Sequence, residues 1–250
     1  MTTTSGERPS SQTKEPPVQN LVEQATRTYI GRLQPRYLKD HSPAVAELAR
    51  LRRGAGKRAH QVKDLWGVGA LEDLAALLEE GHGSDRLEDA EEAVFLASTL
   101  WALHQQSRRD QGMYAKGRSL GGAVRSLIRQ KDSPGTDDEE SPLRKRLVRV
   151  GTAESLDSVA VRLREIVLLL RTAPEPLPLD YARLAGQLYR WQHRPERAGV
   201  QREWGREFHL AAIASRGRSG KAPGAEGDDA IDPELGADED GTYGGYAAGE

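Results

Sequence analysis

Apolar positions recur every three or four residues along most of the chain, the period of a helix with one buried stripe. Gln19 to about Leu33 shows this first and is expected to stop near Pro35. Ser42-Pro43 reads as a helix start, with serine as N-cap and proline at the first helical position, and Gly54 as its end. Residues 55–70 form a glycine-containing connection that includes Trp66, and Leu71–Glu80 is a short helix closed by Gly81. Ala90–Leu103 is apolar on most sides, the mark of a helix buried in a bundle. Residues 107–118 carry no apolar period and read as a loop. Ser119–Gln130 then places Leu120, Val124, Leu127 and Ile128 on one face.

The acidic stretch KDSPGTDDEE breaks the pattern before a second Ser-Pro start at Ser141-Pro142, whose helix turns Leu143, Leu147 and Val150 inward. From Ser155 a longer helix buries Leu156, Val159, Ala160, Leu163, Val167 and Leu170, and the prolines of TAPEPLPL end it. Asp180 caps a helix with Tyr181, Leu184, Leu188 and Trp191 inside, and a last helix after Pro195 carries Val200, Trp204 and Phe208. The pattern predicts an all-α fold of about nine helices in two small helical bundles, 18–131 and 141–214. No fixed-period repeat is present.

Composition agrees with helices. Aromatic residues make up 5% of the 250 positions, a poor supply for sheets, whereas Leu, Ala, Arg and Glu abound. The absence of cysteine excludes disulfides, thiolate metal sites and cysteine nucleophiles. The longest aliphatic run, Ile166–Leu170, is far short of the roughly 20 residues that span a bilayer. The first residues, MTTTSGERPSSQTKEPP, lack the basic and apolar regions of a signal peptide, so a soluble cytoplasmic protein without membrane association is expected.

A net charge of −2 conceals an uneven distribution. Residues 211–250 hold nine acidic and three basic side chains, while residues 21–210 hold 31 basic and 27 acidic ones, a net of +4. With nine glycines and few apolar residues, the acidic end cannot offset the entropy of ordering. Residues 1–17 and 215–250 are therefore expected to be disordered tails. The acidic one reads foremost as a solubilising segment; competition with nucleic acid for the basic body is the other reading.

Catalytic signatures are missing. Six histidines form no HExxH pair, GAGKRA (54–59) and GRSGKA (217–222) lack phosphate-loop spacing, and no GxSxG occurs. His104, at the end of the buried helix, reads as a capping or hydrogen-bonded residue rather than a base. No metal site, cofactor or small-molecule substrate is indicated, and no enzyme activity is expected.

Basic clustering is the informative feature. Leu48–Lys63 holds six basic residues and no acid; His104–Lys131 holds seven against Asp110 alone; Arg144, Lys145, Arg146 and Arg149 follow with no acid between them. Arg118, Gly122, Arg125 and Arg129 fall on one helical face, opposite the apolar stripe, as a ridge that suits phosphate oxygens. A single cluster would read as a solvated helix face, but three favour nucleic acid. Trp101, Trp191, Trp204 and Tyr181 have core spacing, and Tyr114 and Trp66 lie in connections where local packing is the simpler reading. Gly117 and Gly121-Gly122 permit close backbone approach, more commonly of a helix than of a phosphate.

The order LARLRRG (48–54), WALHQQS (101–107), KGRSLGGAVRSL (116–127), ESPLRKRL (140–147) and LDYARLAGQLYRWQ (179–192) resembles the CasB family, the small subunit of the type I-E CRISPR Cascade complex. The likeness spans roughly residues 43–210. It implies a non-enzymatic, all-helical subunit in two bundles whose partners are other Cascade subunits and a second copy of itself. Such a subunit helps hold the crRNA–target hybrid and the displaced single-stranded DNA of the R-loop. Carried over motif by motif, the implied contacts are Arg52 and Arg53, then Lys116, Arg118 and Arg125, then Arg144 and Arg146. Arg108, Arg109 and Arg129 join them on charge alone. The family usually has arginine after Ser-Leu-Gly, where this chain has Gly122, which removes one cation from the ridge. A helical protein–protein adaptor and a free-standing DNA-binding regulator are the competing readings, although no convincing recognition helix is present.

Overall fold

The computed structural model describes residues 17–62, 69–78, 86–131 and 141–219, with side chains as far as Ala211. Among these residues there are nine α-helices: α1 (Val18–Leu38), α2 (Ser42–Leu51), α3 (Leu71–Leu78), α4 (Leu87–Gln105), α5 (Leu120–Lys131), α6 (Pro142–Gly151), α7 (Leu156–Arg171), α8 (Tyr181–Gln192) and α9 (Arg194–Ser219). The only extended pairing among them is an isolated parallel bridge between Tyr114 and Leu179. The all-α expectation holds, and every core residue singled out on α5 to α9 is buried.

α4 lies at the centre. Every residue from Glu92 to Gln105 is buried, because α1, α7 and α8 all pack against this one helix. α1 also packs on α8, α5 on α9, and α6 on α7, so the buried side chains before and after 132–140 form one continuous cluster. Burying polar atoms along such a helix requires partners. Glu92 meets Arg58 Nε at 2.9 Å and accepts the Ala59 N–H at 3.0 Å, which fastens the connection after α2 onto α4.

Three local expectations need correction. α1 does not stop near Pro35 but continues to Leu38. The hydrogen bond lost at proline is outweighed by burial of Tyr37, whose hydroxyl accepts the Ser107 N–H at 3.1 Å. Ser42 is inside α2 rather than its N-cap; His41 holds that place and makes no side-chain cap bond. Residues 215–219, expected in a disordered tail, continue the backbone of α9. Asp180 does cap α8, accepting the Arg183 N–H at 3.0 Å, and Ser155 caps α7. Ser141 precedes α6 without a side-chain cap bond. Trp66, Gly81, the 132–140 boundary and the remainder of both tails lie outside the described residues.

The α5–α9 contact depends on one missing side chain. A Cβ on Gly121 would stand 2.5 Å from both the Trp204 carbonyl oxygen and the Phe208 nitrogen, so α9 backbone packs directly on this glycine. Gly122 differs, since its Cβ would meet only the Ser119 hydroxyl at 2.9 Å and Ala211 at 3.8 Å. Gly121→Ala is expected to destabilise the fold by about 2 kcal/mol through overpacking. Gly122→Ala should stay within about 1 kcal/mol of the parent, since helix propensity offsets a small rotation of serine. Urea midpoints of the two variants check this ordering, and equal losses would contradict it.

His104, at the buried end of α4, lies with Nδ1 2.9 Å from the Tyr181 hydroxyl oxygen. Burial foremost, with the cations Arg108 and Arg171 adding to it, depresses its pKa from 6.5 to about 3. The folded chain therefore binds fewer protons than the unfolded chain across that window, and stability falls as pH drops below 6.5. Between pH 6 and 5 the parent should lose about 1 kcal/mol more than His104→Asn. The carboxyls of Glu91 and of buried Glu207, both raised foremost by desolvation, titrate in both proteins and cancel. Parallel pH profiles of the unfolding free energy would contradict this assignment.

Candidate nucleic-acid interface

The segment between α4 and α5 carries much of the basic charge, and its backbone has no helix and a single bridge, in which Leu179 donates to the Met113 carbonyl at 3.0 Å and accepts the Ala115 N–H at 3.3 Å. Side chains from three elements satisfy much of the rest. Gln105, fully buried on α4, accepts the Met113 N–H at 2.7 Å and donates to the carbonyls of Arg108 at 2.8 Å and Gln111 at 3.0 Å. Gln34 of α1 accepts the Tyr114 N–H at 2.8 Å and donates to its carbonyl at 3.3 Å. Asp180 accepts the Gly117 N–H at 2.8 Å, while its own N–H donates to the Arg118 carbonyl at 2.7 Å. Gly117 has φ +79°, a backbone turn that glycine adopts without strain, and it brings Lys116 and Arg118 to the surface.

The loop leads into the amino end of α5, where Ser119 Oγ accepts the Gly122 N–H at 3.2 Å and Glu207 accepts the Gly121 N–H at 3.3 Å. Glu207 is buried between α8 and α9, also paired with Arg183 and accepting from Gln187 at 3.1 Å. Desolvation raises its pKa, opposed by Arg183 and by these hydrogen bonds. Beside this end of the helix lies a groove of about 360 Å³. Arg118 and Arg129 line it together with Gly122, and Pro176–Pro178 and Ala211 form its walls. The proline-rich segment after α7 is held alongside α5 by Gln130, whose side chain accepts the Glu175 N–H at 3.0 Å.

Of the ten predicted contacts, the structure brings two into this groove, Arg118 and Arg129, with Lys116 exposed on the adjoining loop. Arg125 does not join them. It is 7% exposed, its guanidinium 5.4 Å from the centroid of the Phe208 ring. The reason is its register: four residues beyond Gly121, it faces the strip that α9 covers, so the single basic face expected on α5 is split. Arg108 donates to the carbonyls of Arg171 and Ala173 at 3.1 Å each and closes the carboxyl end of α7. Arg109 pairs with Asp40 and stacks on Tyr37 at 4.5 Å. Arg52 and Arg53 are exposed on a 3-10 turn after α2, outside the groove. Arg144 is half-buried in a separate hollow between α6 and α9, beside Trp204 and Phe208, and Arg146 is half-buried on α6.

Sequence reasoning missed Gln34, Gln105 and Glu207, and saw in Asp180 only a cap. No local signal marks the glutamines, which sit within helical periodicity; their role follows from the tertiary placement of the loop. No cluster of three or more metal-binding side chains occurs among the described residues, and no described helix is long and apolar enough to cross a membrane.

Comparison with known proteins follows the same outline. The family described as CRISPR-associated protein Cse2 matches residues 47–209. The crystal structure of CasB from Thermobifida fusca is 42% identical, with a TM-score of 0.62, covering 77% of this chain and 97% of its own. The M. ruber CasB crystal structure, 23% identical, covers 79% and 98% at a TM-score of 0.55 and shares the fold. The same fold is shared by a chain of a CRISPR RNA-guided surveillance complex, 24% identical, covering 80% and 99% at 0.55. No curated protein matches. A family match over residues 47–209, beside a 42% identical relative matched along nearly all of its length, establishes that the chain belongs to the Cse2 (CasB) family of CRISPR-associated proteins.

Proposed function

We propose that this chain is a non-enzymatic, nucleic-acid-binding small subunit of a type I-E CRISPR Cascade surveillance complex, working in the cytoplasm beside other Cascade subunits and a second copy of itself. Its task is to steady the crRNA–target hybrid and the displaced DNA strand of the R-loop. The observation that carries this reading is the groove at the amino end of α5, where Arg118 and Arg129 face one channel beside a loop held by Gln34, Gln105 and Asp180. Family membership supports it, as does the surveillance complex that contains a chain of this fold.

The mechanism is electrostatic. Guanidinium groups on a preorganised frame meet phosphates without first losing the entropy of ordering their support. Each phosphate neutralised on a single strand releases condensed counterions, with a log–log salt slope of about −0.7 per contact. R-loop formation in another RNA-guided effector is a near-balanced exchange of duplexes, so a few backbone contacts suffice to tip it. Lys116 adjoins this cationic surface; Arg52 and Arg53, on the turn after α2, and Arg144 and Arg146, on α6, offer separate cationic contacts. Arg108, Arg109 and Arg125 act mainly within the fold.

The test is a reconstituted complex carrying Arg118→Glu with Arg129→Glu. Target binding should weaken at least tenfold, by about the 1.4 kcal/mol that a tenfold change requires. The salt slope should become shallower by about 1.4, two contacts' worth. The thermal midpoint of the subunit should hold, because both side chains are exposed. Unchanged target binding and an unchanged slope would overturn the reading.

A further inference from the structure

We infer that the acidic C-terminal segment, residues 220–250, docks in the groove between α5 and α9 and is displaced from it by nucleic acid. The inference rests on the reading of that groove as a phosphate site. Its first support is position. Ala211 of α9 forms part of the groove wall, and α9 is described as far as Ser219, so residue 220 follows about 12 Å along the helix axis from the site. Its 31 residues can extend to about 100 Å, so they reach back with ample slack.

Chemistry supplies the second support. Residues 220–250 hold nine carboxylate side chains against Lys221 alone, and seven of them fall in two groups: Asp228, Asp229, Asp232 and Glu234, then Asp238, Glu239 and Asp240. The groove offers Arg118 near one end of α5 and Arg129 near the other, about 16 Å apart along the axis. Asp228 and Asp238 lie ten residues apart, about 33 Å when extended, so the chain covers that distance with slack and can meet both cations at once. Ile231 within the first acidic group and Leu235 between the two groups are apolar residues that suit the Pro176–Pro178 wall and Ala211. Gly122 leaves the floor of the groove without a long side chain, which admits a peptide where an arginine would project. Tethering holds the segment at an effective concentration near 1 mM, so a contact with a dissociation constant of about 0.1 mM is about nine-tenths occupied.

The experiment uses the full chain and a six-site variant: Asp228→Asn, Asp229→Asn, Asp232→Asn, Asp238→Asn, Glu239→Gln and Asp240→Asn. Fluorescence anisotropy with a labelled 20-nucleotide oligothymidylate at low salt should show about tenfold tighter binding by the variant, the factor that removing a tethered competitor returns. Zero-length carbodiimide crosslinking of the parent should join a tail carboxylate to Lys116, and added oligothymidylate should suppress that product. Tighter binding by the variant without any tail–Lys116 crosslink in the parent would overturn docking, because repulsion at a distance then accounts for the gain. Equal affinities with no crosslink would overturn it as well. A crosslink in the parent, with no oligothymidylate binding by either protein, would support docking and reject the phosphate reading instead.

Discussion

Backbone amides and carbonyls cannot be buried without partners, and the segment joining α4 to α5 has only one bridge, at Leu179, to pair them. Gln105, Gln34 and Asp180 carry that requirement, each bonding more than one main-chain group. Gln105 can do so because α4 is enclosed by three helices, which keeps water from competing for its amide. Asp180 serves two elements at once, capping α8 while fixing the turn at Gly117. The cationic surface is therefore an extension of the core.

This frame sorts the arginines. Some close the structure: Arg108 caps α7, Arg58 neutralises buried Glu92, Arg109 stacks on Tyr37, and Arg125 lies over Phe208 beneath α9. Others point outward, among them Arg52, Arg53, Arg118 and Arg129. Contact between α9 and Gly121 decides much of this division, since it covers the face on which Arg125 lies and leaves the neighbouring face, with Gly122, open as a groove. The acidic carboxylate that helps seal the contact, Glu207, is kept away from solvent between α8 and α9.

Helical periodicity alone made the all-α architecture legible, because amphipathic stripes such as Leu156–Leu170 and Tyr181–Trp191 report burial directly. The family was legible from the order of several short motifs. Individual roles were less so. Spacing placed Arg125 with Arg118 and Arg129, yet spacing is silent on which helix will cover a flank. Pro35 was read as a stop by local rules, while the helix continues because Tyr37 has a buried destination. The glutamines of the loop clasp have no local signature, since amides within a helix look like solvated surface until a loop folds over them.

Native-state hydrogen exchange at the amides of Met113, Tyr114 and Gly117 tests the central claim most directly. Those protons are donated to Gln105, Gln34 and Asp180 within a loop that has no secondary structure of its own. The account predicts protection close to that of the α4 core, so that the basic loop opens only when the fold does. Exchange at rates typical of a solvated loop would show that the cations are not presented on a rigid frame, and would contradict it.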